Sequence, residues 1–181
     1  EEGIDAILPL RAALTELERI NSGLKANRQD PLLGHASLHG GIIQGGSALS
    51  VIPAESRLRW ERRTLPDENQ DEVNQELNRV MRSVAVLGGR QKVNGQTLFI
   101  RPPYRAGASS KLVEQLQKTT PDSKCVGLSF WADSALCGLA GIPTVLYGPI
   151  GHGAHAIDEW VSLSSLVRVY DVVKQLIENW Q

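Results

Sequence analysis

The stretch Gly148-Pro149-Ile150-Gly151-His152-Gly153-Ala154-His155, followed by Asp158-Glu159-Trp160, gathers the densest set of groups able to do chemistry in this chain. A neutral imidazole on a glycine-rich loop ligates Zn²⁺ at about 2.0 to 2.1 Å, and a neighbouring carboxylate fixes the ring's orientation. His155 is the candidate ligand, with Asp158 or Glu159 beside it and His152 as a second imidazole. The loop follows the apolar run Pro143 to Tyr147, and ligands of open α/β sheets sit beyond the carboxyl ends of strands. Catalytic zinc needs about three protein ligands. Histidines on a glycine loop are more often surface hydrogen-bonding groups than ligands, so the residues alone leave both roles open.

Other candidates carry less. His35 and His39 have the four-residue spacing of a zincin pair, but Gly34 and Gly40-Gly41 break the helix that pair requires, and no glutamate follows His35. They read as exposed histidines of a loop and a strand entry. Glu1-Glu2 reads as charge at the start of the first helix. Arg57, Arg59, Arg62 and Arg63 are interleaved with Glu61 and preceded by Glu55, without exposed aromatics between them. They read as a solvated strand face, with at most one arginine turned to a ligand carboxylate. No nucleophile elbow, Walker A loop or dinucleotide fingerprint is present.

The elements that must position these groups fall into two patterns. Ile4, Ile7, Leu8, Leu14, Leu17 and Ile20 have helical spacing, with Asp5 as N-cap and a polar loop from Asn21 to Gly34. Strands are predicted over Ser37 to Gln44 and over Ser56 to Arg63, where Leu58 and Trp60 alternate with charged residues. After the turn Leu65 to Glu68, a second amphipathic helix, Gln70 to Leu87, ends at Gly88-Gly89, and Lys92 to Ile100 is a further strand candidate. This order predicts an α+β layer with two helices on one face of an antiparallel sheet. Pro102-Pro103 marks a boundary. Beyond it come a helix from Ser109 to Lys118, a short strand near Cys125, a helical run from Asp133 to Leu139, the strand Pro143 to Tyr147 and a closing helix through Leu163, Tyr170 and Trp180. That alternation reads as part of a parallel, doubly covered sheet whose other strands lie elsewhere.

The 181 residues are 41% apolar and 22% charged, with 19 basic against 20 acidic side chains and a net charge of -1. Bulk disorder and a strongly basic nucleic-acid binder are both excluded. No apolar run reaches the roughly 20 residues of a membrane-spanning helix, and the start lacks a signal peptide's pattern, so a soluble chain is expected. Cys125 and Cys137 are too few for a disulfide scaffold and read as reduced thiols of a cytoplasmic protein.

Four ordered motifs carry a resemblance: Gly45-Gly46 through Val51-Ile52-Pro53; Glu61-Arg62-Arg63-Thr64-Leu65-Pro66; Gly141-Ile142-Pro143-Thr144-Val145 into Gly148-Pro149; and Ala154-His155 through Glu159-Trp160-Val161. Together they resemble the M20 family of metallopeptidases and amidohydrolases, nearest its deacetylase- and desuccinylase-like members. The resemblance implies an α+β lid/dimerisation domain over residues 1–100, lacking its first strand. An α/β segment of a zinc-hydrolase catalytic domain over 101–181 follows. It implies the C-terminal portion of an enzyme that holds two Zn²⁺ and cleaves the amide bond of an N-acyl amino acid or small peptide. His155 matches the C-terminal metal ligand. The remaining ligands and the general base, a glutamate, are expected upstream, so no catalytic residue is assigned here and the chain alone is expected to be inactive and zinc-free. Arg63 matches a substrate-carboxylate clamp, and Gly148 and Gly151 line the carboxylate end of the pocket. Ser50 matches a further substrate-binding position, where many members have asparagine, and Asp133 matches an acidic pocket residue that is not a ligand. The implied partners are the small substrate and a second copy bound through the lid, with no nucleic acid and no membrane. The alternative is a non-catalytic lid/dimerisation fragment.

Overall fold

The computed structural model describes residues 3–27, 29–107 and 110–180, and it falls into two units, Glu1–Pro103 with Gly127–Ser129, and Tyr104–Val126 with Phe130–Gln181. The Glu1-Glu2 pair and Ser109 lie outside the described residues.

In the first unit, strands β1 (Ser37–Gly45) and β2 (Ser56–Arg63) pair antiparallel from Ser37 opposite Arg63 to Gly45 opposite Ser56, with an irregularity between Gly40 and Ile42. Alternation on β2 turns Leu58, Trp60 and Arg62 to the partly buried face and Arg57, Arg59, Glu61 and Arg63 to solvent. Helices α1 (Leu10–Asn27) and α2 (Gln70–Gly88) cover the inner face. Ala13, Leu17 and Ile20 of α1, Val80 of α2 and Leu38 of β1 form one buried cluster, flanked by Leu24, Leu58, Trp60 and Val84. Each such aliphatic side chain taken from water contributes roughly 1.5 to 3 kcal/mol. Two helices on one face of an antiparallel ribbon is the arrangement the sequence predicts.

The first helix is shifted from its expected span. Asp5 does not cap it directly: its Oδ1 accepts from the amides of Ile7 and Leu8 at 2.7 and 3.1 Å, forming a turn ahead of Pro9, and α1 begins at Leu10. At the other end Leu24 extends the apolar stripe of Leu17 and Ile20, so α1 runs to Asn27 through residues expected to form a loop. Asn21 within it accepts from the Leu38 amide at 3.1 Å and ties the helix to β1. Glu16, bonded to Arg19 and facing Arg79 of α2 at 3.5 Å, has its carboxyl held below the usual range, chiefly by the Arg19 hydrogen bonds.

The candidate strand Lys92 to Ile100 joins no ladder. At Gly95 the chain crosses α2 so closely that a Cβ there would stand 2.5 Å from Met81 Sδ and 3.1 Å from Leu77 Cδ1, which places it against the helix rather than beside β2.

A second correction concerns the arginines. Arg62 is not solvated: its side chain is 7% exposed, with Nη2 2.5 Å from Glu68 Oε1 and Nε 2.9 Å from Glu76 Oε2. Burial pushes this guanidinium toward losing its proton, but the hydrogen bonds to Glu68 and then Glu76 outweigh it, and its pKa lies above the ordinary arginine value. Glu68 Oε2 also accepts from the Leu65 amide at 2.6 Å, and Arg62 Nη1 donates to the Arg63 carbonyl at 2.7 Å. One buried cation thus joins the end of β2, the turn and α2.

The second unit contains α3 (Lys111–Thr119), α4 (Ser134–Leu139), the two-residue strands β3 (Gly151–His152) and β4 (Trp160–Val161), and α5 (Leu163–Glu178). Ser110 caps α3 by accepting from the Val113 amide, and Ser162 caps α5 by accepting from the Ser165 amide. Helices α3 and α5 pack together, with Lys111 Nζ 5.1 Å from the Trp180 ring centroid. Its buried hydrophobic residues, among those described, are Val113, Ala135 and Val172. Neither Pro143 to Tyr147 nor the segment near Cys125 is a strand here, and no parallel pairing occurs among the described residues. A parallel strand is stabilised only by neighbours hydrogen-bonded along it and layers covering it. The described residues offer Pro143 to Tyr147 neither.

The buried ion cluster gives a direct expectation. Arg62→Met leaves Glu68 and Glu76 buried without their cation and lowers unfolding free energy by about 3 to 5 kcal/mol. Adding Glu68→Gln and Glu76→Gln to it recovers most of that loss. Urea unfolding of the single and triple variants measures both, and a single variant within about 0.5 kcal/mol of the parent contradicts a buried cluster.

Candidate functional site

The glycine-rich segment folds as a tight hairpin at the start of α5. Gly151 pairs with Val161 and His152 with Trp160, and residues 153–159 form the connection. Gly151 is required by close approach, since a Cβ there would lie 2.5 Å from the Trp160 carbonyl oxygen. The hairpin is tied to the helix entry: the Ser162 amide donates to the Ile150 carbonyl at 2.8 Å, and the Ile150 amide donates to Ser165 Oγ at 2.9 Å. Ser162 and Ser165 therefore fix both the start of α5 and the base of the hairpin.

His155 sits at the turn of this connection with φ +68°, the one non-glycine residue at positive φ among those described. Histidine reaches that region more readily than β-branched residues do, but still at an energetic disadvantage of roughly 1 kcal/mol relative to glycine. Local hydrogen bonds hold it there. Its amide donates to Glu159 Oε2 at 3.2 Å, the Ala156 amide donates to the Gly153 carbonyl at 2.7 Å, and the Glu159 amide donates to the Ala156 carbonyl at 3.3 Å. Glu159 thus meets the backbone of His155, fixing the loop and leaving the ring to solvent. His152, His155 and Asp158 are all exposed.

The remaining candidate residues are placed differently. Gly148 borders open space. Asp133 is exposed at the N-cap of α4, where its side chain makes no capping hydrogen bond. In the first unit, Arg63 is exposed at the last position of β2, with Nε 2.7 Å from Glu61 Oε1 and Nη1 3.1 Å from the Ser129 carbonyl. Ser50 is exposed in the connection between β1 and β2, beyond the Gly45–Ser56 end of the ribbon. Seven residue steps at about 3.3 Å each separate that end from Arg63. Within the first unit Ser50 and Arg63 are therefore not brought together.

Among the described residues, no three His, Cys, Asp or Glu side chains are gathered as a metal-ligand set. His155 is one donor, and the Glu159 carboxylate accepts from its backbone amide. One imidazole does not make a tight zinc site, so the described residues do not by themselves fit the two-metal group that the resemblance implies.

Sequence reasoning missed Arg62, Glu61 and Ser165. Parity held the signal for the first: with Leu58 and Trp60 facing inward, Arg62 has to face inward too. The serine pair Ser162 and Ser165, just before an amphipathic run, marks a helix entry in the same way.

Residues 1–88 match the peptidase dimerisation domain of the M20 type. Over 98% of its length the chain is 20% identical to an acetylornithine deacetylase from Buchnera aphidicola subsp. Schizaphis graminum, covering 47% of that protein. It is 26% identical, over 98% of its length, to an N-formyl-4-amino-5-aminomethyl-2-methylpyrimidine deformylase from Bacillus subtilis, covering 46% of it. A crystal structure of a tripeptidase from Staphylococcus aureus superposes with a TM-score of 0.72 at 20% identity, over 98% of this chain and 46% of that one. The chain thus spans about half the length of these relatives. Residues 1–88 are thus a dimerisation domain of the M20 peptidase type.

Proposed function

We propose that this chain is the dimerisation domain, residues 1–100, and the C-terminal catalytic-domain segment, residues 101–181, of a zinc-dependent amidohydrolase. The enzyme cleaves the amide bond of an N-acyl amino acid or small peptide. The observation that carries this reading is a likeness over 98% of the chain to proteins named for removing an acetyl group, removing a formyl group and cleaving a tripeptide. Their shared reaction is amide hydrolysis, and that common chemistry is what transfers. The acyl group does not.

In this reading His155 contributes one metal ligand, and the other ligands and the general base belong to the part of the relatives that this chain does not span. A bound metal pair would supply Lewis acidity and an activated water. Arg63 accepts the substrate carboxylate, a role suited to a planar guanidinium fork. Gly148 and Gly151 are substrate-binding positions in this reading; Gly148 borders open space, and the missing Cβ of Gly151 accommodates the Trp160 carbonyl. Ser50, at the other end of the ribbon, serves a different part of the substrate or a different copy. The makeup of the second unit fits a segment of a larger core: Leu163, Val167, Tyr170 and Ile177 of α5 are 61 to 76% exposed, a helix face that in a catalytic domain is covered by a sheet. Free, exposed Cys125 and Cys137 suit the reducing cytoplasm.

The first unit supports assembly with a second copy. A two-stranded ribbon leaves an unpaired edge on each strand, and sheets of two strands are marginal unless extended or covered. Light scattering at tens of micromolar should give twice the 19.8 kDa chain mass, and a strict monomer there contradicts dimerisation through this domain.

His155 gives the second test. In the complete enzyme, His155→Ala abolishes turnover of N-acetyl amino acids, measured alongside zinc content. In the 181-residue chain, His155→Gly should raise unfolding free energy by up to about 0.5 kcal/mol, because the strain relieved at positive φ outweighs the greater freedom glycine gives the unfolded chain. A complete enzyme with full activity after His155→Ala removes His155 from the metal site and the reading with it.

A further inference from the structure

The outer face of β2 carries three arginines in different circumstances. Arg57 meets Glu55 at a loose 3.8 Å, and Arg59 has no ionic partner among the described residues. Arg63 alone has a carboxylate hydrogen-bonded to its Nε: Glu61, two positions back and therefore on the same face, at 2.7 Å. His39, directly opposite Glu61 in the ladder, has its Nε2 3.2 Å from Ser37 Oγ, and the Arg63 guanidinium is the ionic partner of Glu61. The Ser129 carbonyl takes a second Arg63 hydrogen, from Nη1. Of the five guanidinium donors, three remain, none of them on Nε.

We propose that Glu61 is a built-in carboxylate competitor that sets how strongly, and along which edge of its fork, Arg63 accepts a substrate carboxylate. The inference rests on the reading of Arg63 as the carboxylate clamp and adds a determinant of its selectivity. A carboxylate bound bidentate takes two parallel N–H groups, either the Nε and Nη2 pair or the two Nη groups. Glu61 already holds Nε, so an incoming carboxylate either displaces it or takes the terminal edge beside a second negative charge. Two carboxylates sharing one guanidinium repel each other. The pair is exposed, Glu61 at 61% and Arg63 at 45%, so exchange of one carboxylate for the other carries little stability change. A buried partner such as Glu68 or Glu76 could not serve this way, because its cation cannot be released into solvent.

The test uses the 181-residue chain, ¹⁵N-labelled, titrated with N-acetylglycine and with N-acetylglycinamide, which lacks the carboxylate, while the Arg63 Nε–Hε and the 61–63 backbone amide resonances are followed. N-acetylglycine should move these resonances and the amide should not. In Glu61→Gln the N-acetylglycine dissociation constant should fall about two- to fivefold, the range of an exposed ion pair, with an unchanged melting temperature. A constant that stays equal or rises in Glu61→Gln, while Arg63→Lys weakens the response, overturns the competitor role and leaves Arg63 as the clamp. A response to N-acetylglycine as strong in Arg63→Lys as in the parent chain, or absent from both the parent and Glu61→Gln, overturns the clamp itself.

Discussion

The first unit is organised around a positive charge that is almost wholly buried. Arg62 lies at the inner end of β2 with both its carboxylate partners, Glu68 at the turn and Glu76 on α2, and all three side chains are at most 14% exposed. Removing any one leaves the others charged and desolvated, so the three positions have to be satisfied together. That condition sets the register of the strand. A slip of one residue would carry Arg62 to solvent and Arg63 into the interior, where Glu68 and Glu76 wait in the wrong geometry. The buried arginine is thus the reason its neighbour is presented to solvent, and the Arg62 bond to the Arg63 carbonyl fixes the backbone from which that side chain projects.

Much of this unit was legible in the sequence because its signals are local. The Leu58 and Trp60 alternation defines β2, the stripe Val73, Leu77, Val80 and Val84 defines α2, and Gly88-Gly89 marks its end, with the Gly89 amide bonded to the Ala85 carbonyl. The errors came where tertiary contacts overrode local pattern. Leu24 keeps α1 helical through polar residues because it packs on the core, and Lys92 to Ile100 lies against α2 at Gly95 although its composition suits a strand. The strand at Pro143 to Tyr147 failed for a different reason: a continuous apolar run reports burial, and its hydrogen bonds depend on neighbours that composition cannot supply.

The candidate site divides along the same line. Position was legible: the Gly-rich segment just before the last helix forms the hairpin that carries His155. Conformation was not. Nothing in the residue types announces that His155 takes the positive φ while Gly153 beside it takes one as well, or that Glu159 serves the loop backbone rather than an imidazole. The apparent metal-site neighbour is in fact what holds the loop, a distinction that depends on which atoms face each other and not on spacing.

The two arginine-bearing positions and the hairpin rely on opposite kinds of stability. Arg63 stands on a strand end locked by a buried ion cluster, so its backbone is held while its side chain is exposed, bonded to Glu61 and the Ser129 carbonyl. His155 stands on a seven-residue connection whose order comes from a handful of exposed hydrogen bonds, and its strain is balanced only while Glu159, Gly153 and the Ser162–Ser165 entry to α5 remain in place. The positive φ of His155 is thus held by the hydrogen bonds of its neighbours, and its side chain stands at the exposed tip of the connection.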